Sequence, residues 1–216
     1  MSESDSFIEE VTEEVRRDRL FAYVRKYGWI AVLAVVLMVG TAGWHEWRKA
    51  REQAAAQAFG DAILAALETP ERDARAKALA AIEAPTPDGG AVLTLLTAAE
   101  ESAASPAEAA RRLLALADSG EGARAYRQIA VLKAVALADS GLSVDERRRR
   151  MQDLAEAGGL LGLLAEEQLA LIEVESGDKS AALKRLKGIV ENAAATVSLR
   201  QRAAQMIIAL GGDPAA

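Results

Sequence analysis

Residues 27 to 47 read YGWIAVLAVVLMVGTAGWHEW, and no other stretch constrains the chain as strongly. From Tyr27 to His45 nothing carries a formal charge. A helix of that length, rising about 1.5 Å per residue, reaches nearly the ~30 Å of a bilayer's hydrocarbon core. Trp29, Trp44 and Trp47 stand at its two ends, where an interfacial aromatic belt anchors a span. A cleaved signal peptide fits less well. Its leading region would be 26 residues long and rich in acid, and the apolar run continues to Trp44 beyond the conceivable Gly40-Thr41-Ala42 site. Arg16-Arg17 lacks a twin-arginine signal's hydrophobic residue two places on, where Arg19 stands. The expectation is one uncleaved transmembrane helix over 27–47. Gly40 and Gly43 are candidates for close contact with another helix, although their spacing is not GxxxG.

Orientation follows from the flanks. Arg16, Arg17, Arg19, Arg25 and Lys26 precede the span, against Arg48, Lys49 and Arg51 after it. The positive-inside rule then leaves the 1–26 tail in the cytoplasm and the rest across the membrane. In the tail, Ser6-x-x-Glu9 reads as a capping box ahead of Phe7, Ile8, Val11 and Val15 at helical spacing. Acids come before bases, as a helix dipole prefers.

The remainder is about the size of one domain. Its apolar content is mostly Ala and Leu, strong helix formers, and strand-favouring runs are missing. An all-α fold is expected. Phe59, Ile63 and Leu67 mark an apolar face on a helical linker that ends at Thr69-Pro70. A second helix over 71–82 completes a first pair within 48–89. From 90 to 216, helices are expected over 90–104, 106–118, 122–140, 143–157, 160–176, 178–193 and 196–210. Pro106 starts one of them and Ser-Gly or Gly-Gly pairs close others.

A repeat underlies this punctuation. AVALADSG at 134–141 and ALIEVESG at 170–177 lie 36 residues apart, with Ala98 one period earlier. LADSG at 116–120 resembles LAEAG at 154–158, at a period of 38. Ala170, Gly177-Asp178 and Ala182 match the small-residue skeleton of tetratricopeptide repeats, which the stretch resembles. It departs from them at Glu173, where an aromatic is usual, at Lys179, where Tyr is common, and in lacking a closing Pro near Ala194. The expected architecture is a degenerate tetratricopeptide-like solenoid of helical pairs behind one transmembrane helix.

Tyr27-Gly28-Trp29 enters the span and Trp44-x-x-Trp47 leaves it. With Glu167-Gln168-Leu169-Ala170-Leu171, Leu199-Arg200-x-Arg202-Ala203 and Leu210-Gly211, the plan resembles the YfgM-type ancillary subunits of the SecYEG translocon of Gram-negative bacteria. That resemblance implies an inner-membrane protein with a periplasmic domain. It also implies the Sec translocon and periplasmic chaperones as partners.

The residues themselves offer little chemistry. With no cysteine, thiolate metal sites and Cys nucleophiles are excluded. His45-Glu46 opens an HExxH string that Lys49 breaks. No phosphate-binding loop or nucleophile elbow occurs, and no cofactor is expected. The net charge of −6 argues against nucleic acid as a partner. Glu166-Glu167 and Glu173 with Glu175 read as solvated charge. So does the Arg147–Arg150 run, with local pairs to Asp145, Glu146 or Asp153, and so do Lys184, Arg185 and Lys187. A membrane-tethered protein-binding scaffold, not an enzyme, is the expectation. An envelope-assembly or cell-division scaffold shares its topology, and a carboxylate-dependent enzyme is the rival class.

Overall fold

The computed structural model describes the backbone of residues 3–213, and side chains from Arg25 onward apart from residue 31. Among the described residues there are nine α-helices and no strand. The chain divides into two compact units, Met1–Ala56 and Gln57–Ala216.

The first unit is built from helix α1 (Glu3–Leu67), whose last residues belong to the second. The first proline is Pro70, so no proline breaks the pattern before it. The expected tail helix, span and linker are therefore parts of one helix. Ser6 lies inside it and is not its N-cap, because Glu3 and Asp5 already supply an acidic first turn. The tail's apolar positions Phe7, Ile8, Val11 and Val15 fall outside the described side chains. One stretch of α1 is long and apolar enough to cross a membrane, with mean hydropathy 1.7 and none of it buried.

The second unit contains the end of α1 and α2 (Arg72–Ala80), α3 (Pro87–Glu101), α4 (Pro106–Asp118), α5 (Arg124–Ala136), α6 (Val144–Glu156), α7 (Gly159–Glu175), α8 (Lys179–Glu191) and α9 (Val197–Ala209). Helices α3, α5, α7 and α9 begin at intervals of 37, 35 and 38 residues. The core is a chain of overlapping clusters, each drawn from three successive helices. Leu79 and Leu93 join Ala66, Phe59 and Ile63 of α1. Leu113 packs with Ala98, Ala110 and Ala134. Met151, Leu154, Leu169 and Ile172 pack with Val135. Leu186, Ile189, Leu199 and Ile207 close around Ala170 and Ala182. No helical pair buries its apolar stripe alone, which is the energetic logic of a solenoid. At the α1 end, Ala66 and not Leu67 faces the core, and Leu67 stays 37% exposed.

Local chemistry sets the boundaries. The hydroxyls of Thr86, Ser143 and Thr196 and the carboxylate of Asp178 cap α3, α6, α9 and α8 by accepting from Gly89, Glu146, Leu199 and Ala181 N–H. Thr86 lets α3 start at Pro87, three residues before the turn-rich sequence suggested, with Pro at its first position. Helix α5 stops at Ala136 instead of running to 140. Leu137 is extended and Asp139 takes a positive φ of 55°. The matching sequence in α7 stays helical to Glu175 and closes on Gly177 at φ 82°, with Asp178 N–H donating to Glu173 C=O. The two similar octapeptides thus adopt different conformations.

Candidate functional site

On α1 the aromatic residues flanking the apolar stretch point outward. Trp29, Trp44 and Trp47 are 64%, 63% and 54% exposed. The Trp44 and Trp47 rings lie 5.4 Å apart at 40°, and Arg51 sits over Trp47, 5.6 Å from its centroid. Trp29 and Trp44 are about 22 Å apart along a helix rising 1.5 Å per residue. Within the stretch, Thr41 Oγ1 donates to Met38 C=O at 2.9 Å, which satisfies its hydroxyl without an outside partner. A Cβ at Gly40 or Gly43 would meet nothing within 4 Å, so that face is open. His45 stands exposed on the same helix.

In the second unit, α3 touches α5 and α5 touches α7, whereas α4, α6 and α8 have no comparable mutual contact. Helices α3, α5 and α7 therefore line one side of the stack closely, and α4, α6 and α8 spread along the other. The close side is aliphatic apart from Glu167, which lies between Leu164 and Leu171 on the same face of α7. Leu160, Leu164 and Leu171 of α7 share one face at helical spacing, with Leu160 and Leu171 exposed. The corresponding positions on α5 are Ala125, Ile129 and Ala136, with Lys133 beside them.

On the spread side, three grooves repeat. Each has two even-numbered walls, or the α2–α3 connection and α4 for the first, over an odd-numbered floor. Their volumes are about 630, 290 and 660 Å³. They superpose by sequence register. Gly90, Arg127 and Gly162 hold one floor position, Arg112, Arg150 and Arg185 one wall position, and Leu116, Leu154 and Ile189 another.

The wall arginines continue back to Arg75 on α2, so each even-numbered helix carries one. Each ties helices together through carboxylates. Arg75 bonds Glu100 at 2.7 Å and Arg112 grips Glu101 at 2.8 Å with two nitrogens. Arg150 bonds both Asp118 of α4 and Glu146 of its own helix. Arg185 reaches Glu173 at 2.6 Å and Glu166 at 2.7 Å. At the far end, Arg202 of α9 makes a bidentate bond to Glu167 of α7, at 2.7 and 2.8 Å. Such planar pairs are the strong form of ion pair. Arg150 holds the Asp118 carboxyl below its usual range by hydrogen bonding, and Arg147 does the same to Glu175. Burial lowers Arg185, but its bonds to Glu173 and Glu166 outweigh that and raise it.

These ties correct the reading of the charges as solvated. Glu167 and Glu173 are only 7% and 8% exposed. Glu173 occupies the place of a core aromatic because Arg185 neutralises it from the next helix. Of the arginine run, Arg148 and Arg149 do make the local pairs expected, with Asp145 and Glu146, but Arg147 and Arg150 reach α7 and α4. The 37-, 38- and 35-residue spacing of Arg75, Arg112, Arg150 and Arg185 was the signal for this. Among the described residues one buried side-chain atom stays unsatisfied: Glu173 Oε2 has no hydrogen-bond donor.

No curated protein and no solved structure matches the chain. A family model described as a tetratricopeptide repeat-like domain matches residues 22–157, from α1 just ahead of the apolar stretch through the end of α6. With more than half of its length under that match and the helical pairs continuing through α9, the chain belongs to the tetratricopeptide repeat-like domain family.

Proposed function

We propose that this protein is a membrane-anchored scaffold of the YfgM type that binds other proteins beside the Sec translocon. In this reading residues 1–26 are a cytoplasmic tail and 27–47 span the inner membrane. Residues 48–89 form a linker and first helical pair, and 90–216 present repeats in the periplasm. Trp29, Trp44 and Trp47 hold the span at its interfaces, and Gly40 and Gly43 offer a contact for a neighbouring helix. The partners are the translocon and periplasmic chaperones or emerging substrates.

The observation that carries the binding role is the aliphatic face of the odd-numbered helices. Leu160 and Leu171 are 45% and 38% exposed on α7. A row of aliphatic side chains left in water on rigid helices is what a partner's apolar segment covers. Tethering to the membrane adds effective concentration to a weak contact.

The test is in-cell photocrosslinking from Ile129 and Leu171, followed by partner identification. Recovery of translocon subunits or periplasmic chaperones is expected. Recovery of no protein from either position overturns the scaffold reading. Recovery of division or envelope-assembly proteins alone moves the partner elsewhere. Protease digestion from each side of the membrane checks topology, and cleavage of the repeats only from the cytoplasmic side overturns the orientation.

A further inference from the structure

The third groove, between α6 and α8 over α7, differs from its siblings in what is missing. In the preceding groove Arg127 fills the floor, donating to the carbonyl oxygens of Gly120 (3.0 Å) and Gly122 (2.6 Å) in the turn before α5. A cation thus sits at the end of α4, where the helix dipole is negative. In the first groove the floor position is Gly90, but α2 carries Lys77 in its own last turn. The third groove has neither device. Gly162 stands in place of Arg127, with the Ala155 carbonyl oxygen of α6 3.0 Å from where its Cβ would be, and α6 has no basic residue in its last turn.

The acidic side of the same groove is under-neutralised. Glu166 and Glu173 share the single guanidinium of Arg185, and Glu173 Oε2 is buried with no donor. Leaving a buried acceptor unpaired is costly, and an incoming donor would remove that cost. Lys184 stands exposed at the rim. The groove is also roomy, at about 660 Å³ against 290 Å³ for its arginine-filled sibling. Cβ atoms built on Gly158, Gly159 and Gly188 meet nothing within 4 Å, so a polypeptide backbone can lie close against these walls.

We propose that this groove binds an extended segment of a partner polypeptide bearing an arginine. The guanidinium lies in the groove over α7, with its donors turned to Glu173, Glu166 and the carbonyl end of α6. Arginine suits the site better than lysine because its planar fork satisfies several acceptors at once, as Arg127 does with its turn. The site lies on the opposite side of the stack from the aliphatic face and stands whether or not that face binds.

The test uses the full chain in phosphatidylcholine nanodiscs with the peptide acetyl-Gly-Ala-Arg-Ala-Gly-amide, read by ligand-observed NMR titration. The controls are the same peptide with Gln for Arg, and N-acetylarginine amide. Saturable binding of the arginine peptide is expected, about tenfold or more tighter than the Gln peptide, from the loss of a charge-assisted bond. The single amino-acid amide should bind more weakly than the peptide. Glu173→Gln should weaken the arginine peptide by a similar factor. Gly188→Arg, which places a guanidinium in the groove from α8, should abolish binding, while Gly188→Ala keeps it. The glycine pair keeps the test decisive should Glu173→Gln fold poorly. Equal binding of the Arg and Gln peptides, no saturable binding at millimolar peptide, undiminished binding to Gly188→Arg, or an amide that binds as well as the peptide overturns the proposal.

Discussion

The tie between Glu167 and Arg202 gives an asymmetric prediction. Glu167 is 7% exposed and accepts both bonds from Arg202, at 2.7 and 2.8 Å, whereas the Arg202 side chain is 47% exposed. Removing the cation strands a buried carboxylate. Removing the carboxylate frees an arginine that can return to water. Breaking a buried pair from one side costs about 3–5 kcal/mol. Arg202 is half in solvent, so water can reach the vacated side and the figure must be discounted to about 2 kcal/mol for Arg202→Met. Glu167→Gln keeps an acceptor for Arg202 and should cost about 1 kcal/mol or less. At roughly 2–4 °C per kcal/mol for a unit of this size, Tm falls by roughly 4–8 °C and up to about 4 °C respectively. The double variant should show a coupling of about 1 kcal/mol in a mutant cycle.

In a stack held by nearest neighbours the damage should stay local. Amide hydrogen exchange of the full chain in detergent micelles should therefore quicken in α9 for Arg202→Met, with α3 to α5 unchanged. If Glu167→Gln destabilises as much as Arg202→Met, or α9 exchanges no faster, the pair does not fasten the last helix and the reasoning fails.

Two further outcomes follow from the same packing. Ala134 is wholly buried between α3, α4 and α5, so Ala134→Leu should cost about 1–3 kcal/mol in urea unfolding, while Ala136→Leu, exposed on the same helix, should stay within about 0.5 kcal/mol. The Asp118 carboxyl is held low by Arg150, so its stabilising effect is complete above the unfolded value of about 3.9 and is lost as pH falls through the lower folded value. Asp118→Asn should thus lower Tm at pH 7 and leave it level with the parent at about pH 2.

The helices were legible in the sequence because Ala-Leu composition, proline starts and glycine stops act locally. Ala98, Ala134 and Ala170 are each no more than 1% exposed, as their spacing implied. What misled was similarity without register. AVALADSG and ALIEVESG align at 36 residues, yet the grooves that follow align Arg150 with Arg185 at 35. Arg127 and Gly162, ahead of the octapeptides, are also 35 apart, so the octapeptides are similar one residue out of structural register. A dipeptide such as Ser-Gly announces that a helix ends, but not whether the last turn before it is already open.

The charges were illegible for a different reason. An arginine in a run has several carboxylates within its sequence reach, and only the stacking of helices selects among them. Arg150 could pair with Glu146, four residues back, and does, but it also reaches Asp118 across a groove. The recurrence of that position through Arg75, Arg112 and Arg185 separates structural arginines from neighbours such as Arg149, which pairs only along its own helix. Read this way, degeneracy in these repeats is unevenly distributed. Where helices meet, small residues hold place and the cores vary little. Along the spread side the arginine persists while the groove floor alternates between Gly90, Arg127 and Gly162. Packing fixes the former, because a methylene too many forces helices apart. The latter is set repeat by repeat: a Cβ at Gly162 would meet the Ala155 carbonyl oxygen at 3.0 Å, whereas the floor before it holds the long side chain of Arg127, and this makes one groove unlike the others.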